Sequence, residues 1–317
     1  MVQIRFGGLS EEDCKKLARL TITSRKDTPL GSDKSVDELA KSIENIVSDD
    51  AYQILTAHDD SNLVGWMYYY VGFPLMTFIN GYYPVVAEKP NSEEIALALI
   101  ETAKRDFVKN NHTRLEIEFV FPTEAHRSYS SKLVEWYKKC DFQFAAEEIH
   151  MKSDLNLIEL PKLDLPKGYT LRRFSEVSFE MIEVPAFRTL KDSKEGLFLS
   201  MRKPEQDVTI HFFFDKAKPY IEDASLLLEK EGEIIGFVIT RVGDNGEPDI
   251  GPVGLVPKAR GKGLASFLLV EVLKTLKASD SNSVYLDTTL TNYPAQRLYR
   301  KYGFEDEYYK QFYFWSP

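Results

Sequence analysis

Residues 253–266 read Val-Gly-Leu-Val-Pro-Lys-Ala-Arg-Gly-Lys-Gly-Leu-Ala-Ser. A short apolar stretch ends at Pro257. Arg260, Gly261, Lys262, Gly263, Leu264 and Ala265 follow, where Leu264, Leu268, Val272 and Leu276 begin to recur every four residues, the spacing of one helix face. Two glycines and two cations therefore meet at a helix N-terminus. Glycine lets backbone N–H groups approach an anion, because no Cβ intervenes. The start of a helix offers unpaired N–H groups and a partial positive charge. Arg260 and Lys262 add formal charge. In composition and place this is a cradle for a pyrophosphate. A plain strand-to-helix turn with solvated cations would use the same residues, and the string is neither GxxxxGK[ST] nor GxGxxG.

Some thirty residues on, the chain reads Asn292-Tyr293-Pro294-Ala295-Gln296-Arg297-Leu298-Tyr299-Arg300-Lys301-Tyr302-Gly303-Phe304. Asn292 suits a helix N-cap, Pro294 the first turn, and Gly303 a stop before a strand. Capping and stop signals do not explain Tyr299, seven residues after the cap.

Together the two stretches resemble the GNAT superfamily of acyl-CoA-dependent N-acyltransferases. Its signature Q/R-x-x-G-x-G/A after a strand is matched by Arg260, Gly263 and Ala265. Its later N-x-x-A-x-x-L-Y-x-x-x-G-F segment is matched by Asn292, Ala295, Leu298, Tyr299, Gly303 and Phe304. The resemblance covers residues 169–317. It implies that the strand before the loop splays from its neighbour, so that the backbone of Val253, Gly254 and Leu255 holds the pantetheine and the acyl carbonyl. It implies that the amides from Arg260 through Gly261, Lys262, Gly263 and Leu264 to Ala265 hold the pyrophosphate. Asn292 would contact the cofactor arm. Tyr299 would sit near the sulfur and protonate the leaving thiolate after direct attack by an amine, as general acid. Acetyl-CoA is the implied cosubstrate, and the acceptor is a small-molecule or peptide amine. Asp249, eleven residues before Arg260, is a candidate base, like the carboxylate of histone-modifying members. A solvated Asp249 in the turn 245–249 is the simpler account of the same residue. Asp287 and Glu229 are weaker candidates.

These residues need elements to hold them. Strand-like and helix-like patterns follow the same order in each half, which suggests a duplicated unit. The expected fold class is α/β: two GNAT-like domains in tandem, each a mixed and mostly antiparallel sheet with flanking helices and a central splayed strand pair. The expected division is 1–158, a degenerate GNAT-like domain, and 159–317, the acetyl-CoA-binding catalytic domain, joined by a link marked by Pro161, Pro166 and Gly168. Residues 88–94 stand where the first half should carry a cradle. They contain no glycine, Asn91 and Glu94 are spaced as a capping pair, and Glu93 and Glu94 would repel a phosphate. Tyr137 matches Tyr299 in position, and Asp141 replaces Gly303. The first half is therefore expected to be closed to CoA.

Composition narrows the classes further. The 317 residues carry a net charge of −9, which argues against a broad grip on nucleic acid or an anionic membrane. Residues 63–87 are uncharged, yet Gly72, Pro74, Asn80-Gly81 and Pro84 break the run and tyrosines crowd it, so successive strands are expected rather than a membrane span. Cys14 and Cys140 are too few for a disulfide framework, and no apolar run opens the chain, so a cytoplasmic location is expected. His58, His112, His126, His150 and His211 show no metal spacing, and no metal is expected. Phe212, Phe213 and Phe214 read as an aromatic strand of the core or as pocket lining. Residues 178–203 are the expected acceptor surface. A non-catalytic acyl-CoA-binding regulatory module and a mycothiol-synthase-like acetyltransferase stay open as alternatives. Nothing in the sequence fixes the acceptor or the oligomeric state.

Overall fold

Period-2 and four-spaced apolar patterns sort the chain into two units in the computed structural model, which describes residues 2–31, 33–243, 245–279 and 281–317. One unit is Met1–Ala145 with Lys310–Pro317, and the other is Ala146–Tyr309.

The first unit runs β1 (Val2–Phe6), α1 (Glu11–Arg25), α2 (Val36–Val47), β2 (Tyr52–Asp59), β3 (Asn62–Phe73), β4 (Met76–Asn80), β5 (Val85–Val86), α3 (Ser92–Lys109), β6 (Arg114–Phe121) and α4 (Glu124–Lys139). Its strands lie in the order β1-β2-β3-β4-β6, with β5 on β3. Neighbours are antiparallel except β4 and β6, which are parallel. Ser10 and Ser35 start α1 and α2 with reciprocal capping boxes. The uncharged run folds as β3 to β5, as its breakers and tyrosines required. Among the described residues no helix is long and apolar enough to cross a membrane.

The capping pair expected at Asn91 and Glu94 does not form. Asn91 has φ −98° and ψ 19° and makes no side-chain cap bond. That backbone lacks the extended conformation that aims a cap side chain at the first turn. Glu93 instead pairs with Lys139 of α4 at 2.6 Å. Tyr137 is fully buried and donates its hydroxyl to the Tyr83 carbonyl at 2.9 Å. Asp141, with φ +64°, takes the left-handed conformation that Gly303 takes at φ +84°. The cavity between α1, β5 and α4 measures about 80 Å³. Arg25 closes its rim, 4.9 Å over the Tyr83 ring and 2.6 Å from the Tyr82 carbonyl.

The second unit takes β7 (Gln143–Asp154) from Ala146 onward, then β8 (Thr170–Arg173), α5 (Phe179–Lys191), α6 (Gly196–Leu199), α7 (Lys203–Phe213), β9 (Leu226–Lys230), β10 (Glu233–Val242), β11 (Pro248–Leu255), α8 (Leu264–Ala278), β12 (Ser283–Thr289), α9 (Tyr293–Lys301) and β13 (Glu305–Trp315) up to Tyr309. The strand order is β7-β12-β11-β10-β9-β8. All neighbours are antiparallel except β11 and β12. The class is therefore mixed α/β, with a mostly antiparallel sheet and one parallel pair in each unit. Residues 146–154 of β7 pack here although they precede the Pro-marked link. On one sheet face, Leu268, Val272 and Leu276 of α8 are fully buried. On the other, Ile182 and Leu190 of α5 and Ile210 of α7 pack with Phe174 and Phe237.

Phe212, Phe213 and Phe214 do not form a strand. The first two end α7 and the third packs in the core. The overlooked signal was upstream: Pro204 suits a first turn, and the Glu205 carboxylate accepts the Arg202 backbone N–H at 2.8 Å.

Gly303 tests the packing at the end of α9. A Cβ there would lie 2.3 Å from Ile158 Cγ2 and would sit at φ +84°. Gly303→Ala is expected to cost about 2 kcal/mol and lower the thermal midpoint. Gly168→Ala, at φ +83° in open space, is expected to cost about 1 kcal/mol. Equal midpoints for the two variants would show that Ile158 yields freely.

Candidate active site

β11 is paired along one edge and open along the other. On β10 it is in register at Phe237 with Gly254 and at Val238 with Val253, and a bulge intervenes before Thr240 meets Ile250. Toward β12 the register holds one position, Asp249 with Tyr285. Beyond it the two strands part, leaving the edge of Val253, Gly254 and Leu255 without a partner strand among the described residues. Gly254 has a packing reason to be glycine: a Cβ would lie 2.3 Å from Thr189 Cγ2 of α5. Leu255 is buried in the core beneath α8.

The loop that follows brings Arg260 through Ala265 to the start of α8. Gly261 and Gly263 have φ +74° and +77°, and a Cβ on either would meet nothing within 4 Å. Gly263 is the N-cap and so puts no side chain over the helix end. Among the described residues no acceptor takes the amides of Gly261, Lys262, Gly263, Leu264 or Ala265. They form an open row of donors at the positive end of a 15-residue helix. The Leu264 side chain is in the core, so only its amide faces the loop.

Arg260 spends its charge elsewhere. Its guanidinium donates to the Leu255 carbonyl at 3.0 Å, the Asp192 carbonyl at 3.0 Å and carboxylate at 2.6 Å, and the Thr189 carbonyl at 3.3 Å. It ties the loop to the C-terminal end of α5, and its own amide bonds to Pro257. Lys262 is exposed and reaches the Lys258 carbonyl at 2.8 Å.

A cavity of about 690 Å³ opens beside the gap between β11 and β12. Asp249, Val253 and Tyr299 all line it, so the structure gathers three residues that the sequence had spread over fifty positions. Tyr299 is 6% exposed, and no group among the described residues hydrogen-bonds its hydroxyl. Burial, and then the nearby Glu195 carboxylate, push its acidity well below that of an ordinary phenol. It is therefore a neutral O–H at pH 7. Asn292 does not reach into the open. Its amide oxygen caps α9 through the Ala295 N–H at 3.4 Å, and its Nδ2 donates to Glu195 at 2.6 Å.

Several wall residues stood outside the motifs, although Asp287 was a weaker base candidate, residues 178–203 the expected acceptor surface, and Phe212 and Phe213 an alternative pocket lining. Glu195 holds Asn292 and also accepts the Thr289 hydroxyl at 2.8 Å, across about a hundred residues of chain. Glu148 of β7 and Asp287 of β12 add carboxylates beside Asp249. Leu197, Phe198, Met201, Phe212 and Phe213 from α6 and α7 make an apolar wall. Lys218, whose pKa burial pulls down, and Arg241 close the far end; Arg241 donates to the carbonyls of Phe213, Asp215 and Lys218. Glu229 lies away from this wall, paired with Arg172 at 3.1 Å. Among the described residues no cluster of His, Cys, Asp and Glu could hold a metal.

Residues 190–304 match the family model described as Acetyltransferase (GNAT) family. The second unit carries a GNAT acetyltransferase domain. A mycothiol acetyltransferase of Arthrobacter sp. (strain FB24) is 39% identical over 155 residues, 46% of this chain and 45% of that one. A mycothiol acetyltransferase of Thermomonospora curvata is 28% identical over 161 residues, 49% and 50%. The matched stretch thus spans about half the length of these relatives. A solved tandem GNAT protein from the clavulanic acid biosynthesis pathway superposes with a TM-score of 0.54 at 14% identity, over 99% of this chain and 98% of that one. That likeness is one of fold, and it extends the GNAT architecture to the first unit.

The GNAT loop depends on Arg260 as a tie. Arg260→Met is expected to destabilise the second unit by about 1–2 kcal/mol, since it leaves carbonyls of Leu255, Thr189 and Asp192 without their donor at a partly exposed site. Thermal unfolding checks this. An unchanged midpoint would show that water replaces the guanidinium at no cost.

Proposed function

We propose that the second unit transfers an acetyl group from acetyl-CoA to the amine of an acceptor held in the 690 Å³ cavity. One observation carries the reading. The unbonded amides from Gly261 to Ala265 lead along the open edge of β11 to the unpartnered hydroxyl of Tyr299.

The cosubstrate fits this arrangement. Its pyrophosphate lies on the loop amides, where backbone dipoles supply the attraction and Lys262 adds exposed charge. The Arg260 guanidinium, engaged on α5, shapes the loop instead of touching the phosphate. The pantetheine amides pair with the open edge of β11 around Val253, Gly254 and Leu255, where Arg260 already holds the Leu255 carbonyl. The acceptor nitrogen attacks the thioester carbonyl, the C–S bond breaks and the thiolate takes the proton of Tyr299; the nitrogen sheds its second proton to water, and Tyr299 recovers one from water. A neutral phenol is the form that can donate. Asn292 acts by holding Glu195 and the start of α9, and so the position of Tyr299.

The acceptor arrives as an ammonium. Glu148, Asp249 and Asp287 supply its counter-charge, and Asp249 stands among them as a group that can hold or deprotonate it. Phe198, Met201, Phe212 and Phe213 favour an apolar body behind the amine. The mycothiol acetyltransferase relatives support a second acceptor class, an amine on a polar thiol-bearing scaffold. The buried, unpaired Cys14 and Cys140 fit a reducing cytoplasm.

An amine panel with free-CoA release as readout tests the reading; 2-phenylethylamine, glucosamine and a short peptide with a free N-terminus span the acceptor classes. Tyr299→Phe is expected to lower kcat about 100-fold while KM for acetyl-CoA stays within about threefold. Gly263→Asp places a carboxylate over the loop amides and is expected to weaken acetyl-CoA binding at least about tenfold. Acetyl-CoA binding with no turnover across the panel would favour the non-catalytic module. Normal affinity in Gly263→Asp would remove the loop assignment.

A further inference from the structure

We propose that His150 is a proton relay that draws the acceptor's ammonium proton out of the cavity through Asp287. The inference rests on the acetyltransfer reading and adds the path by which the amine becomes a nucleophile.

His150 and Asp287 are directly opposed in the antiparallel pair of β7 and β12. Both side chains therefore stand on the same sheet face as Glu148 and Thr289, the face toward the cavity. Asp287 lines the cavity with Tyr299, and its Oδ1 is 2.8 Å from His150 Nδ1. His150 is one step back from the wall. Its ring is stacked between Tyr285 at 5.4 Å and Tyr308 at 4.3 Å, each at 18°. Its Nε2 lies 3.6 Å from the Glu307 carboxylate. The side chain of His150 is 12% exposed and that of Glu307 is 40% exposed, so the ring stands between the cavity and solvent. The groups facing the imidazole are Asp287 and Tyr285 from β12, Glu307 and Tyr308 from β13, and Glu148 and Lys152 on its own strand. Two aromatic faces fix the ring plane, and a carboxylate lies toward each nitrogen. That arrangement suits an imidazole that gains and loses a proton in place.

The step balances. The ammonium R–NH3+ gives a proton to the Asp287 carboxylate and becomes R–NH2, with a lone pair for the thioester. The carboxyl passes the proton to Nδ1 of a neutral imidazole whose Nε2–H points to Glu307. The imidazolium, flanked by two carboxylates, releases a proton at Nε2 to Glu307 and water. Asp287 returns to its starting state, and His150, left as the Nδ1–H tautomer, regains its Nε2–H form by proton exchange with water once the product has left. Asp287 touches the acceptor and is catalytic; His150 acts through it.

A merely structural role for the pair would affect every acceptor alike, whereas a relay matters only when the acceptor arrives protonated. The test uses two acceptors of one shape, 2-phenylethylamine, an ammonium at pH 7, and O-benzylhydroxylamine, neutral at pH 7. If another panel amine turns over faster, its aminooxy isostere joins it. His150→Gln and Asp287→Asn are each expected to lower kcat about 10- to 100-fold with the amine and less than about threefold with the aminooxy compound. Thermal midpoints confirm that both variants fold, and the two lesions report independently. Equal losses with both acceptors, or none with either, overturn the relay and leave acetyltransfer intact. A wild-type protein inert toward the whole panel overturns the acetyltransfer reading and the relay together.

Discussion

β11 and β12 hydrogen-bond at Asp249 and Tyr285 and then separate. Parallel neighbours in a sheet normally satisfy each other's backbone groups along their length. Here the separation leaves one edge of β11 with donors and acceptors to offer, and it makes room for the cavity beside them. The bulge on the β10 side and the tie from Arg260 to the end of α5 keep β11 in place without help from β12. α8 then anchors the loop from below, because its four-spaced leucines and valine are buried in the core. Each chemical feature of the site lies along that one gap, with the open amides at one end and Tyr299 with the carboxylates at the other.

The electrostatics of the site differ from what its cations suggest. The guanidinium of Arg260 is consumed by backbone carbonyls and the Asp192 carboxylate, which leaves the orphan amides of a capless helix start as the main positive feature of the loop. The cavity, in contrast, is acidic on its sheet side and apolar on its helical side. Such a wall offers counter-charge to a cation in partly dry surroundings, where charge pairing is stronger. Glu195 links these parts, since it holds Asn292 and Thr289 and helps keep Tyr299 protonated.

The first unit shows how the same order of elements loses a site. Its β4 and β6 are parallel neighbours too, but they stay paired from Met76 to Asn80. Tyr137 occupies the place of Tyr299 and spends its hydroxyl on the Tyr83 carbonyl. Arg25 lies over the Tyr83 ring at the mouth of a cavity about a ninth the size of the other. The first unit thus keeps a parallel strand pair but not the open gap beside it.

Local signals were enough for the position of the loop, for the cap at Asn292, for the buried face of α8 and for the strands of the uncharged run, because each depends on neighbours within a few residues. The first-turn signals of α7 were local too, but the aromatic run that ends the helix concealed them. The Asn91 cap failed because its backbone takes φ −98° and ψ 19° in place of an extended conformation, which the motif alone does not reveal. Glu195, Glu148, Asp287 and His150 were not legible as a group. They meet through strand register and loop closure across roughly ninety to one hundred and forty residues, and no spacing rule spans that distance. Residue type and short-range order thus determined what could bind an anion and donate a proton. Tertiary structure decided which carboxylates line the cavity and that the Arg260 charge would be spent inside the fold, since both follow from elements that touch only once the chain has folded.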